Sequence, residues 1–284
     1  MDLFDWKAFL LLLIIFVPLE RLLPMHAGQE LFRRGWLNDL IYVIVNGWLI
    51  KLGLITLLVI SILVSRAILP QSWRDAVGAQ PYWLQTLEVL VIADVGFYLV
   101  HRLFHAVPWL WQFHAVHHSI EELDWLAAHR VHPIDQILTK SASLIPCFAL
   151  GYSEVALAAF AVIYHWHSIL LHANVRMNLG PLRWLIASPE FHHWHHSDHR
   201  EAYDKNFAGQ FAFLDVVFGT AHMTRGQEPT KYGCSDPVPR TYWQQLLYPF
   251  RQWRPRKVPA MSSLAIPDAA AAEAPGPTAP GQAA

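Results

Sequence analysis

A chain of 284 residues with a formal net charge of -1 has room for one domain or two small ones, and its near-neutral balance offers no footprint for a nucleic-acid partner. Hydrophobic residues make up 54% and charged residues only 15%, against roughly 25% in ordinary soluble domains, so the composition leans towards a membrane protein. The two cysteines, Cys147 in an apolar run and Cys234 in a polar tail, exclude a disulfide framework and leave any metal to other ligands.

The first apolar run, Phe9 to Leu19, follows an N-terminus with no basic leader and precedes no small-residue cleavage site. It reads as an uncleaved membrane segment, short of the roughly 20 residues of a full span and carrying Pro18 as a kink point. Leu40 to Val64 is long enough to cross; Lys51 near its middle reads either as facing other helices or a wet cavity or as a snorkelling lysine on an amphipathic interfacial helix. Tyr82 to Val100 carries Glu88 and Asp94, which mark an inward-facing side, and runs into a His-rich segment over 101–136. Ile137 to His172 is interrupted at 150–154, and its halves, about 14 and 18 residues, read as a helical hairpin that dips into or just crosses the bilayer. The Ala/Pro/Gly-rich end is expected to be disordered. Lys and Arg are denser around the two His-rich segments (Arg102, Arg130, Lys140, Arg183, Arg200, Lys205), which places both on the cytoplasmic side if the hairpin returns to the side it left.

The expected architecture is all-α: a polytopic membrane bundle of about four transmembrane helices or hairpins under a cytoplasmic helical cap. Its divisions are N-terminal membrane helices over 1–80, a histidine-bearing portion over 81–256 and a tail over 257–284.

Fifteen of the 17 histidines fall in the windows 101–132 and 165–199. His101 and His105 are spaced i, i+4; His114, His117 and His118 are spaced i, i+3, i+4; His192, His195 and His196 repeat the second pattern. On a helix such offsets share a face, so each set can aim its imidazoles at one spot. Eight nitrogens exceed the four of a tetrahedral metal and suit two metals with open positions; imidazole alone does not choose among Zn, Cu, Fe and Ni. His172 and His132 are the further ligand candidates, ahead of His129, His165 and His167. His193 lies off its triplet's face and, with His199, reads as a surface residue. Asp94, seven residues before His101, is the leading carboxylate to orient a ligand histidine, with Asp215 and Glu190 behind it. A zinc peptidase would carry H-E-x-x-H, and no histidine here precedes a glutamate. A non-catalytic metal-binding or metal-transport protein is the alternative, disfavoured because the histidines sit at span ends rather than through the spans.

"HRLFH", "HAVHH" and "HHWHH" resemble the three histidine boxes of the fatty acid hydroxylase superfamily, which includes sterol desaturases. "PWLWQFHAVHHS", "RVHPID", "LLHANVR" and "DKNFAGQFAFLDVVFGT" are similar to its segments in the same order, over roughly residues 85–225. Leu214, where many members have Trp, and the extra His193 depart from the pattern outside the boxes. The resemblance implies an integral membrane di-iron enzyme that uses O2 and external electrons to hydroxylate or desaturate a lipid C–H bond. It also implies two iron ions, replaceable by zinc in purified material, and a ferredoxin- or cytochrome b5-like electron donor.

Overall fold

The computed structural model describes residues 6–224 and 226–251, so the stretch 257–284 expected to be disordered lies outside the described residues. Those residues form ten α-helices and three short 3-10 turns, with no strand among them and two isolated bridges. In chain order the helices are α1 (Trp6–Leu22), α2 (Trp36–Ile68), α3 (Gln71–Gly78), α4 (Tyr82–Ala106), α5 (Pro108–His118), α6 (Pro133–Leu150), α7 (Glu154–His172), α8 (Pro189–His195), α9 (Phe213–Phe218) and α10 (Tyr242–Arg251).

Local chemistry sets their limits. Pro108, Pro133 and Pro189 open α5, α6 and α8, where a missing N–H costs nothing and the fixed φ suits the helix. The expected break at 150–154 is a turn: Gly151 ends α6 at φ 84°, and the Ser153 hydroxyl accepts from the Ala156 N–H at 3.3 Å to start α7.

Of the four stretches read as membrane-crossing, α2 and α7 are both long and apolar enough to span a bilayer. The 33 residues of α2 run roughly 50 Å, well beyond a hydrocarbon core of roughly 30 Å. α4 has the length, at 25 residues, but buries the polar side chains of Gln85, Asp94, His101 and His105.

α6 packs against both α2 and α4, and α4 packs in turn against α7. Gly96 makes the α4–α6 approach possible, because a Cβ there would lie 2.3 Å from the Ala142 carbonyl oxygen. α5 folds back onto α4, α8 packs on α7, and α10 covers α5 and the start of α2. The N-terminal helices share a core with these: Leu12 and Phe16 of α1 join Trp125, Ile169 and Val175 in one buried cluster.

A buried charge network ties the start of α2 to the segment between α5 and α6. Asp39 accepts from Arg33 Nη2 at 2.7 Å and from Arg130 Nε at 2.5 Å and Nη2 at 3.0 Å; Arg33 also donates to Asp124 at 2.5 Å. Arg130 is therefore an internal strut rather than one of the surface charges on which orientation was read, and Lys140 lines a cavity instead.

Candidate metal centre

Nine histidines converge in two adjacent groups. The first holds His101 and His105 from the end of α4, His114 and His118 from α5, and His195 from α8; the second holds His117 from α5, His172 at the end of α7, and His192 and His196 from α8 and its C-cap. Within each group one ring nitrogen per residue lies within 4.8 Å of every other, and all nine residues are buried. The groups touch: the His118 and His196 rings stack with centroids 4.6 Å apart.

The triplets do not each serve one spot, as their spacing first implied. His114 and His118 enter the first group and His117 the second; His192 and His196 enter the second and His195 the first. The cause is helical pitch. Residues i and i+4 lie roughly 40° apart around the axis, while i+3 lies roughly 60° to the other side, so the third imidazole swings to the neighbouring group.

Backbone and carboxylate acceptors fix the ring orientations. His101 Nδ1 faces the Phe207 carbonyl at 2.7 Å, His195 Nδ1 the Lys205 carbonyl at 2.8 Å, His114 Nδ1 Asp135 Oδ2 at 2.7 Å and His105 Nδ1 Asp204 Oδ1 at 3.2 Å. In the second group His117 Nδ1 faces the Arg130 carbonyl at 3.0 Å and His172 Nδ1 the Ser168 carbonyl at 2.7 Å. Each partner only accepts, so each Nδ1 carries the proton and each Nε2 presents a bare lone pair.

Those lone pairs face one another. His101 and His114 Nε2 are 2.9 Å apart, and His117 and His172 Nε2 are 3.1 Å apart. Two bare nitrogens at that distance repel unless a cation sits between them. Protonation is a poor remedy, because burial holds His117, His118, His192 and His196 well below the ordinary imidazole range and holds His195 at about 3. The donor set therefore fits a metal ion in each group, with outer partners that orient the rings and raise their basicity.

The other expected residues have different roles. His132 stands outside both groups: it caps α6, its Nδ1 accepting from the Ile134 N–H at 3.1 Å, while its Nε2 faces the Leu246 carbonyl. Asp94 and Asp215 touch no ligand histidine and instead build the loop behind them. Asp94 accepts from the N–H groups of Gly209, Gln210 and Phe211 at 2.7–3.0 Å, and Asp215 from those of Phe207 and Ala208 at 2.8 Å each. Together they hold the Phe207 carbonyl against His101. Glu190 pairs with Arg183. His167 reaches the Ala187 carbonyl, and His129 and His165 line the cavity described below.

His193 is fully buried rather than on the surface. Its Nε2 donates to the Ala173 carbonyl at 3.1 Å and its Nδ1 accepts from the Tyr232 hydroxyl at 2.9 Å, while His26 stacks on the ring. It fastens α8 to the end of α7, beside His172. Trp194 packs into the hydrophobic core. Sequence reasoning passed over Asp135 and Asp204. Asp135 sits in the quoted "RVHPID", one helical turn past His132, and this was the available signal. Asp204 and Asn206 take left-handed conformations at φ 56° and 59°, which Asp and Asn tolerate, and so turn the Lys205 carbonyl towards His195.

Acid should weaken the metal-free protein. Burial pushes His129 and His193 to about 3, whereas an unfolded chain takes up those protons near 6.5. Folded-state stability is then complete above about pH 6.5 and declines as pH falls towards about 3. Thermal midpoints of metal-stripped protein should be level above neutrality and drop steadily on acidification; a level profile through pH 5 would contradict the neutral, buried state of these rings.

A cavity of about 670 Å³ opens beside the histidines between α2, α4, α6 and α7. His101, His114, His117, His172 and His192 form part of its wall, so it touches both groups, and Ile50, Phe97, Leu144, Phe160 and Ile169 make much of the rest apolar.

Residues 86–220 match the family described as fatty acid hydroxylase. The chain is 32% identical over 170 residues to an ornithine lipid hydroxylase of Rhizobium tropici, covering 60% of this chain and 51% of that protein. It is 32% identical over 152 residues to an alkylglycerol monooxygenase of Homo sapiens, covering 51% and 32%. It is 26% identical over 158 residues to methylsterol monooxygenase 1 of Gallus gallus, covering 54% and 51%. The matched region thus spans about half or less of these relatives' length. No solved structure matches the chain.

Proposed function

We propose, from the premise that residues 86–220 are a fatty acid hydroxylase domain, that this protein is a membrane-bound, O2-dependent lipid hydroxylase with two iron ions on the nine clustered histidines. The observation that carries this reading is the pair of facing lone-pair clusters on the wall of one apolar cavity. Five His in the first group exceed a tetrahedral set. Nε2 separations of 2.9–3.1 Å also approach the roughly 3.0 Å between neighbouring ligands at right angles, for bonds of about 2.1 Å, rather than the roughly 3.4 Å of a tetrahedron. Both features favour iron over zinc.

The bound irons would supply O2 reduction and the oxidation of an unactivated C–H bond. The chain's own part is placement. Asp135, Asp204 and the carbonyls of Arg130, Ser168, Lys205 and Phe207 hold six of the nine imidazoles with Nε2 inward. Burial keeps water from the reacting centre, and the cavity lays a lipid beside it. Relatives named for ornithine lipid, alkylglycerol and methylsterol support a lipid substrate. We further propose a multi-pass membrane protein, with α2 and α7 crossing and α1, α4 and α6 embedded beside them. Residues 81–256 are its catalytic portion, and the histidines sit on the cytoplasmic side within reach of a ferredoxin- or cytochrome b5-like donor.

Lipid profiles of cells expressing the intact protein and its His117→Ala variant test this. An oxygenated lipid that appears only with the intact protein is the expected result. Identical profiles, with metal still bound by the intact protein, would favour the non-catalytic metal-binding alternative.

A further inference from the structure

We infer that the cavity beside the histidines receives a lipid bearing an anionic headgroup, carboxylate or phosphate, held by Lys140 and Lys51, and that oxidation falls on a carbon close to that headgroup; this step rests on the lipid-hydroxylase reading above.

Both lysines line the cavity, Lys140 from α6 and Lys51 from α2. Among the described residues neither makes an ion pair or a hydrogen bond. The cavity wall has a single carboxylate, Asp135, and its Oδ2 is engaged by His114 Nδ1 at 2.7 Å. An uncompensated ammonium in a low-dielectric wall is costly, and at Lys140 an anionic occupant would relieve that cost. A sterol ring or bare hydrocarbon does not bring one.

Further polar atoms await the same occupant. Ser143 lines the cavity at 3% exposure and its Oγ has no partner, and the buried Nε2 of His129 is likewise unpartnered. These two can donate hydrogen bonds to headgroup oxygens.

Position favours a headgroup over a buried tail. Lys51 is exposed, and beyond it α2 presents Leu52, Ile55, Val59, Ile60 and Leu63 outward. Leu37, Ile44 and Leu49 before it are exposed as well, so Lys51 interrupts an apolar face, and its long stem can carry the ammonium towards the level of lipid headgroups. On α6, Asp135 and Lys140 are five positions apart, a rise of roughly 7.5 Å. A headgroup on Lys140 therefore leaves only the first several carbons beside His114, the partner of Asp135.

The test is equilibrium dialysis of the full-length, iron-loaded protein in a neutral detergent against radiolabelled amphiphiles of one chain length. The anionic arms are a fatty acid (carboxylate) and a lysophosphatidic acid (phosphate); the neutral arms are the fatty alcohol and the monoacylglycerol. At least one anionic amphiphile should bind in preference to its neutral counterpart, and the arm that does so identifies the anion. Lys140→Met should weaken that arm roughly ten- to a hundredfold and leave the neutral arms unchanged, while Lys140→Arg retains the preference. Lys51→Met should weaken it less, and carries the comparison if Lys140→Met fails to hold its iron. Equal binding of anionic and neutral amphiphiles, or no change in the lysine variants, overturns the inference. Lysine-dependent anion binding without lipid oxidation would instead remove the enzymatic reading and leave the binding site standing.

Discussion

His172→Ala is expected to hold about one metal ion per chain, against the two proposed for the intact protein, one in each group. His172 is one of only four imidazoles in the second group, and its Nε2 lies 3.1 Å from that of His117 and 2.9 Å from that of His192. Removing it takes away an interior member of that chain of four nitrogens and isolates His117. His195→Ala is expected to differ, because the first group keeps four of its five imidazoles and still meets the ligand number of a structural metal site. That variant should retain both ions more weakly. Both variants should lose more than about a hundredfold in turnover, since loss of an outer partner alone costs 10- to 100-fold. Metal analysis of the two purified variants checks the asymmetry. Equal metal content in both would contradict the division into a five-member and a four-member group.

Asp39→Ala is expected to cost about 3–5 kcal/mol, the range for removing one partner of a buried ion pair. Asp39 is fully buried, and its carboxylate accepts three bonds from the equally enclosed Arg33 and Arg130. Alanine leaves two guanidiniums sharing Asp124, which pairs with Arg33 and also caps the turn through the Ala127 N–H at 2.8 Å. The damage should reach the metal centre, because the Arg130 carbonyl holds His117 Nδ1. Thermal unfolding of the metal-loaded variant and its metal content should fall together. Unchanged unfolding would mean that the network is structurally idle.

The reach of the sequence can be judged from particular residues. The i, i+4 pairs 101/105, 114/118 and 192/196 were legible because helical spacing alone makes them neighbours, and each pair does share a group. The assignment of His117 and His195 to opposite groups was not, since spacing says that a residue diverges from its triplet without saying what lies on that side. His132 was read as a further ligand candidate; it precedes Pro133 at the start of α6, where its Nδ1 caps the helix. Asp94 was read as the carboxylate that orients a ligand histidine; its carboxylate instead accepts from three backbone amides of a loop more than a hundred residues away. The carbonyls that orient the histidines have no side-chain identity, so no motif can reveal them. The Arg33–Asp39–Arg130 network joins residues some ninety positions apart, a separation that no local spacing can reveal. The all-helical class and the break between α6 and α7 were legible from apolar run lengths and from Gly151 and Ser153.

We propose that these histidines hold two iron ions and that the loaded protein hydroxylates a lipid with O2. The most direct measurement supplies the purified, iron-loaded protein with reductant, membrane lipid and oxygen-18 gas and then weighs the lipid by mass spectrometry. The account predicts a hydroxylated lipid carrying the heavy isotope, absent with His117→Ala. An oxygenated product whose label comes from water, or no change in any lipid by a protein fully loaded with iron, would contradict it.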